Sequence, residues 1–137
     1  MWRIWGRPWV MCGSDASIRA PWGPLGEDHP HPRAYGTFAK WLAASRPGGR
    51  GASAGIGMAE AIRKCTSLPA DRFGLAGRGR IQAGAHADLV LFDEAAVEDR
   101  ATYAKPHAFA AGIRQVWVDG AVAWKDGAPG ERNGRYL

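Results

Sequence analysis

Apolar residues along the chain change their spacing twice. Trp9-Val-Met-Cys-Gly13 follows Pro8 as a short continuous apolar run, the pattern of a strand buried on both faces as in a parallel sheet. Phe38, Trp41 and Leu42 then recur at i, i+3, i+4, and Met58, Ala61, Ile62 and Cys65 at i, i+3, i+4, i+7. These spacings predict two amphipathic helices, the first capped by Thr37 and the second carrying Glu60, Arg63 and Lys64 on its exposed side. After residue 77 the pattern becomes that of strands. Ile81 and Ala87-Asp-Leu-Val-Leu-Phe92 read as strands flanking a turn at Ala83-Gly84, and Val116 to Trp124 as a hairpin turning on Asp119-Gly120.

Breaks in the pattern set the organisation. Pro21, Pro24, Pro30 and Pro32 interrupt Ala16 to Tyr35, which makes a long ordered loop leaving the C-terminal end of a buried strand, the place where α/β enzymes put function. Pro47 and Gly48, Gly49, Gly51, Gly55 and Gly57 end the first helix. Pro69 suits the first turn of a further short helix and Gly74 its left-handed end. Helices before residue 77 and strands after it suggest two structural contexts, 1–76 and 77–137. A complete (β/α)8 barrel needs roughly 250 residues, so a chain of 137 residues could supply only one or two of its units.

Composition narrows the class further. The 46% apolar and 23% charged residues are those of an ordinary globular protein, and no apolar run approaches the ~18 residues of a membrane span. The leading Met1–Trp9 stretch lacks the apolar core of a secretory signal, so the cytoplasm is the expected location. A net charge of +5 raises the question of nucleic acid. The Lys and Arg are scattered, however, and Arg46-Pro-Gly-Gly-Arg50-Gly51 is too short for an arginine-glycine binding segment, so no nucleic-acid or membrane partner is expected. Cys12 and Cys65 are far apart, without CxxC or zinc-finger spacing, and read as small buried hydrophobes.

Few residues could carry chemistry. Asp15, just past the first apolar run, is either a proton-transfer group at the end of a barrel strand or part of a Ser14-Asp15 turn cap. His29-Pro-His31 has the spacing of a paired imidazole site and equally that of a loop tether. Arg33 could take a carboxylate in a bidentate pair or brace the long loop, and Tyr35 could line a pocket or pack on a helix. His86 and His107 have no partners at ligand spacing. Gly77 to Gly84 reads as turns, because no helix follows to present its N-terminus to a phosphate. The seven Trp read as core or interface residues.

Taken in order, Val10-Met-Cys-Gly-Ser-Asp15, His31-Pro-Arg33, Tyr35-Gly-Thr-Phe38, Glu60-Ala-Ile-Arg-Lys64, Thr66-Ser-Leu-Pro-Ala70 and Arg72-Phe-Gly-Leu75 resemble the last part of the N-acyl-D-amino-acid deacylases, or D-aminoacylases. Gly79-Arg-Ile-Gln-Ala-Gly84 and Ala87-Asp-Leu-Val-Leu-Phe-Asp93 resemble the tail of amidohydrolases in general, and Val118-Asp-Gly120 and Gly134-Arg-Tyr-Leu137 continue the pattern to its usual end. The chain departs from it at Ala16, at Ala39-Lys40 and over the Gly-rich 45–56. The resemblance implies an α/β fold, the final strand and helices of a TIM barrel followed by part of a small β-sandwich. It also implies hydrolysis of the amide of an N-acyl-D-amino acid by metal-activated water, with Asp15 as general acid and base and Ser14, His31 and Arg33 as substrate-binding residues. Zinc is the implied cofactor of the intact enzyme, and its upstream His, Cys and Lys positions, including the family's metal-binding H-x-H and Cys, have no counterpart here, so His29 and Cys12 are not ligands. The isolated chain is therefore expected to be inactive, and a separate N-terminal barrel segment or self-association is the expected partner. A non-catalytic remnant or complementing subunit is the alternative; a basic nucleic-acid-binding module is a more distant one.

Overall fold

The computed structural model describes residues 2–136. Met1 and Leu137, the outer ends of the Met1–Trp9 stretch and of the Gly134–Leu137 motif, lie outside the described residues. Four helices come first: α1 (Trp2–Trp5), α2 (Arg33–Ala44), α3 (Met58–Arg63) and α4 (Ser67–Phe73). Four strands follow, β1 (Leu89–Phe92), β2 (Ile113–Val118), β3 (Ala121–Lys125) and β4 (Ala128–Pro129), in one antiparallel sheet of order β1-β2-β3-β4.

Two Asp-Gly pairs build the sheet. Asp119 and Gly120 have φ of 49° and 83°, and Asp126 and Gly127 have 48° and 91°. Positive φ at both central residues gives the turn whose twist matches that of the strands it joins. The expected hairpin therefore forms, and the second Asp-Gly pair adds β4 to it. Ile81, expected in a strand, is 91% exposed and outside the sheet, because glycines at positive φ on either side, Gly79 and Gly84, turn the chain too often for a ladder.

The helical part packs around Trp41, which α2 buries against Ile56 and Ala61, with Trp5, Cys12, Leu42 and Cys65 at the margin. The Trp41 indole N–H donates to the Ala61 carbonyl at 3.0 Å, tying α2 to α3, and the Trp5 ring lies 5.0 Å from that of Trp41. α2 begins at Arg33, immediately after Pro32. Thr37 is thus inside the helix, its hydroxyl donating to the Arg33 carbonyl one turn back at 2.9 Å, and is not the cap that its spacing suggested. α4 ends at Gly74 with φ of 68°, the left-handed close expected of it.

Lys64 overturns the expectation of an exposed cation. Its side chain is fully buried, and its ammonium donates to the carbonyls of Arg7 at 2.5 Å and Val10 at 2.8 Å, with Glu60 at 3.6 Å. Arg63 donates to the Pro8 carbonyl at 2.8 Å while holding Glu60 through two bonds of 2.6 and 2.9 Å, and the Cys12 N–H donates to the Lys64 carbonyl at 3.1 Å. Residues 7–12 are consequently held against α3, first as a turn closed by the Val10 N–H on the Arg7 carbonyl at 3.1 Å and then as irregular chain. They are not the strand expected at Trp9–Gly13, since a strand needs a neighbouring strand for its ladder and among the described residues none lies beside it. Trp9 itself is 68% exposed.

The stretch linking β1 to β2 folds back onto α2. A methyl at Gly36 would overlap the Asp99 carboxylate, so glycine leaves the room in which that side chain lies against α2. Arg46 donates to the Ala95 carbonyl at 2.6 Å, Lys40 lies 3.9 Å from Asp99, and Val97 is fully buried.

Replacing Lys64 by Met keeps the volume but takes the ammonium from the Arg7 and Val10 carbonyls, of which Arg7 keeps the Val10 N–H, and should lower stability by about 2 kcal/mol in urea titration. Hydrogen bonds from Arg63 hold the Glu60 carboxyl below its ordinary range, burial opposing them. Because the folded value is the lower one, this stabilisation is present above the unfolded value of about 4.3 and is lost as pH falls through the folded one. A Glu60→Gln variant should accordingly lose less of its Tm than the parent between pH 5 and 3, as differential scanning calorimetry would read.

Candidate functional site

The long loop brings Asp15, His31 and Arg33 together. Asp15 has a φ of 51°, a left-handed conformation that Asp tolerates better than most residues, and this turns its carboxylate out of the extended segment. The side chain is 88% exposed and meets the Arg33 guanidinium at 3.1 Å. Asp15, Ala16, Ser17, Arg19, His31 and Arg33 line a shallow cavity of about 90 Å³. Ser14 is half-buried beside it and is not among the lining residues. Arg33 stands at the first position of α2, so the helix supplies the rigid wall and the loop supplies Asp15.

The two histidines of His29-Pro-His31 work on one residue. His29 Nε2 donates to the Tyr103 carbonyl at 2.6 Å. His31 Nδ1 accepts from the Arg33 N–H at 3.0 Å, which leaves its Nε2 to donate to the Tyr103 hydroxyl at 3.0 Å. The His31 and Tyr103 rings meet edge to face at 5.1 Å. Both imidazoles fasten the loop to the β1–β2 connection, and an Arg19–Asp28 ion pair closes the loop on itself. Among the described residues no group of three or more His, Cys, Asp or Glu side chains could hold a metal ion.

Tyr35, one turn into α2, packs its ring 5.7 Å from His107 and 5.8 Å from Phe109. Its hydroxyl and His107 Nε2 are buried without a hydrogen-bond partner among the described residues, and burial pushes the Tyr35 hydroxyl above its ordinary pKa. His107 is therefore no surface residue. His86, exposed, pairs with Asp119 at 3.1 Å; this bond leads the pull of the Asp119 carboxyl below its usual range. Tyr103 and Asp99 went unread in the sequence because each acts on a partner more than sixty residues away, with no local motif to mark it.

Comparison with known proteins identifies the family. The amidohydrolase family profile matches residues 5–123. A D-aminoacylase of Alcaligenes xylosoxydans xylosoxydans is 47% identical over 130 residues, 93% of this chain and 24% of that protein. A D-aminoacylase crystal structure, described as defining a novel subset of amidohydrolases, superimposes with a TM-score of 0.79 at 40% identity, over 96% of this chain and 25% of the other. The N-acyl-D-glutamate deacylase of Bordetella bronchiseptica, solved with zinc and a phosphonate mimic of the tetrahedral intermediate, superimposes at 0.76 with 38% identity, over 93% and 24%. The chain spans about a quarter of the length of the relatives it matches. Its helices and antiparallel sheet are a partial copy of that α/β fold, and the chain belongs to the amidohydrolase family.

Proposed function

We propose that this chain supplies the proton-transfer carboxylate and a substrate-binding arginine to a metal-dependent deacylase of N-acyl-D-amino acids. The observation that carries the reading is the Asp15–Arg33 pair at 3.1 Å, open to solvent on one side and braced by His31 on the other. Amide hydrolysis needs a group that takes a proton from the attacking water and returns one to the leaving nitrogen; the exposed Asp15 carboxylate has the access for both transfers. Arg33 is a planar donor suited to the carboxylate of an amino-acid product, and it would exchange Asp15 for that carboxylate when substrate enters. Ser14 and His31 position these two, Ser14 through the backbone before Asp15 and His31 through the Arg33 N–H.

Zinc, held by a solved relative, supplies a polarised carbonyl and an activated water in such chemistry. The described residues do not make a site for it: His29 and His31 are engaged by Tyr103, and Asp15 by Arg33. In this reading residues 1–76 are the end of the barrel, 77–137 belong to the β-domain, and the chain by itself does not turn over. A complementing role follows from the surface. Ile18 is 84% exposed, and an open groove of about 730 Å³ is lined by Trp5, Cys12 and Trp41 with Glu98 and Asp99 opposite, apolar surface of the kind that further barrel segments would cover.

Deacylation of N-acetyl-D-amino acids with added zinc, by the chain alone and mixed with the upstream portion of a D-aminoacylase, tests this. Activity is expected only in the mixture, and Asp15→Ala should reduce kcat there by at least ~100-fold; an undiminished rate would remove Asp15 from the mechanism, and turnover by the chain alone would mean that it holds its own metal. In the same mixture Arg33→Lys should raise KM about tenfold with a smaller change in kcat, because a bidentate contact to the ground-state carboxylate is lost.

A further inference from the structure

Cys12 and Cys65 are separated by most of the helical part in sequence, yet they meet in the fold. The Cys12 N–H donates to the carbonyl of Lys64, the residue before Cys65, and both side chains pack on the edge of the Trp41, Ile56 and Ala61 cluster. The two side chains are near enough for each to shift the other's titration, Cys12 downward and Cys65 upward. Neither is sealed away: both are partly exposed, and Cys12 lines the open groove beside α2.

We propose that Cys12 and Cys65 form a reversible disulfide that locks segment 7–12 onto the end of α3 and so fixes the backbone leading to Asp15. The oxidant class is a small-molecule disulfide. The Cys12 thiolate attacks one sulfur of the oxidant, forming a mixed disulfide and expelling the first thiolate. Cys65 then loses its proton to solvent and attacks the Cys12 sulfur, expelling the second thiolate. Two cysteine sulfurs are oxidised, one oxidant disulfide is reduced to two thiols, and the expelled thiolates take up the protons released.

The division of roles follows from the contact. Interaction with Cys65 lowers the Cys12 pKa, burial opposing it, while Cys12 and burial together raise that of Cys65; Cys12, which also lines the open groove, is the readier nucleophile and Cys65 the resolving thiol. Closure needs the sulfurs to approach to the ~2 Å of a disulfide. Segment 7–12 already lies along α3 through Lys64 and Arg63, so the bond would join two elements that are held together without it.

The full chain is incubated with oxidised glutathione, and the products are mapped by non-reducing peptide mass spectrometry with thermal melting alongside. The expected result is a Cys12–Cys65 linked peptide within a monomer, loss of both free thiols, a Tm higher by about 5–10 °C, and full reversal by dithiothreitol. Cys65→Ser should trap glutathione on Cys12, and Cys12→Ser should slow modification of Cys65 by at least tenfold. Two free thiols after prolonged exposure, separate glutathione adducts on both cysteines of the parent chain, or cross-links between chains would each overturn the proposal. The parent chain alone decides among these, so misfolding of either variant leaves the test intact.

Discussion

The buried ammonium of Lys64 is the constraint on which the helical half depends. A cation enclosed by protein must be surrounded by oxygens or the fold loses several kcal/mol, and here the oxygens come from the backbone of residues 7 and 10 and from Glu60. The same contacts solve a second problem. Segment 7–12 has no strand beside it among the described residues, and the Lys64 and Arg63 side chains donate to its Arg7, Pro8 and Val10 carbonyls instead. One side chain thereby satisfies its own charge and a stretch of backbone together. Asp15 stands where it does because this stretch has a defined course up to Cys12.

The site is assembled from pieces of different rigidity. Arg33 is on a helix whose indole anchor, Trp41, is bonded to α3. Asp15 is on irregular chain, and the loop between them is fastened by the Arg19–Asp28 pair, by the two histidines on Tyr103 and by the Trp22 ring against Phe109. These lie in exposed positions, where single hydrogen bonds contribute about 1 kcal/mol or less. Loop and helix can thus separate locally without global unfolding, the behaviour wanted where Arg33 must trade one carboxylate for another.

What could be read from the sequence was local. The period of α3, the Gly74 close and the Asp119-Gly120 hairpin follow from residues within one turn of each other, and each is found. The ordered motifs led to the amidohydrolase family, which the comparisons show. Readings that depended on distant partners went astray. Lys64 sits where helical spacing points a side chain toward solvent, and only residues 7–12 lying over it make that position interior. The apolar run at Trp9–Gly13 has the composition of a barrel strand, which composition alone cannot turn into a ladder. His29-Pro-His31 is an exception: the resemblance favours a loop-ordering role over ligation, and Tyr103, seventy-two residues beyond His31, supplies the tether. Cys12 and Cys65 were each read as solitary because nothing local records that they touch.

Gly36 has a reach beyond its own turn of helix. The Asp99 carboxylate occupies the space that any β-carbon there would need, so one short side chain sets the spacing of the sheet's connecting arm and α2. Three residues earlier on that helix is Arg33. A single methyl at Gly36 would act as a wedge with the helix as its lever, lifting the arm that carries Tyr103 away from the start of α2 and loosening the histidine clasp without touching any group in the cleft. In a lineage of such chains, drift at this one featureless position would register as a change in how the site opens.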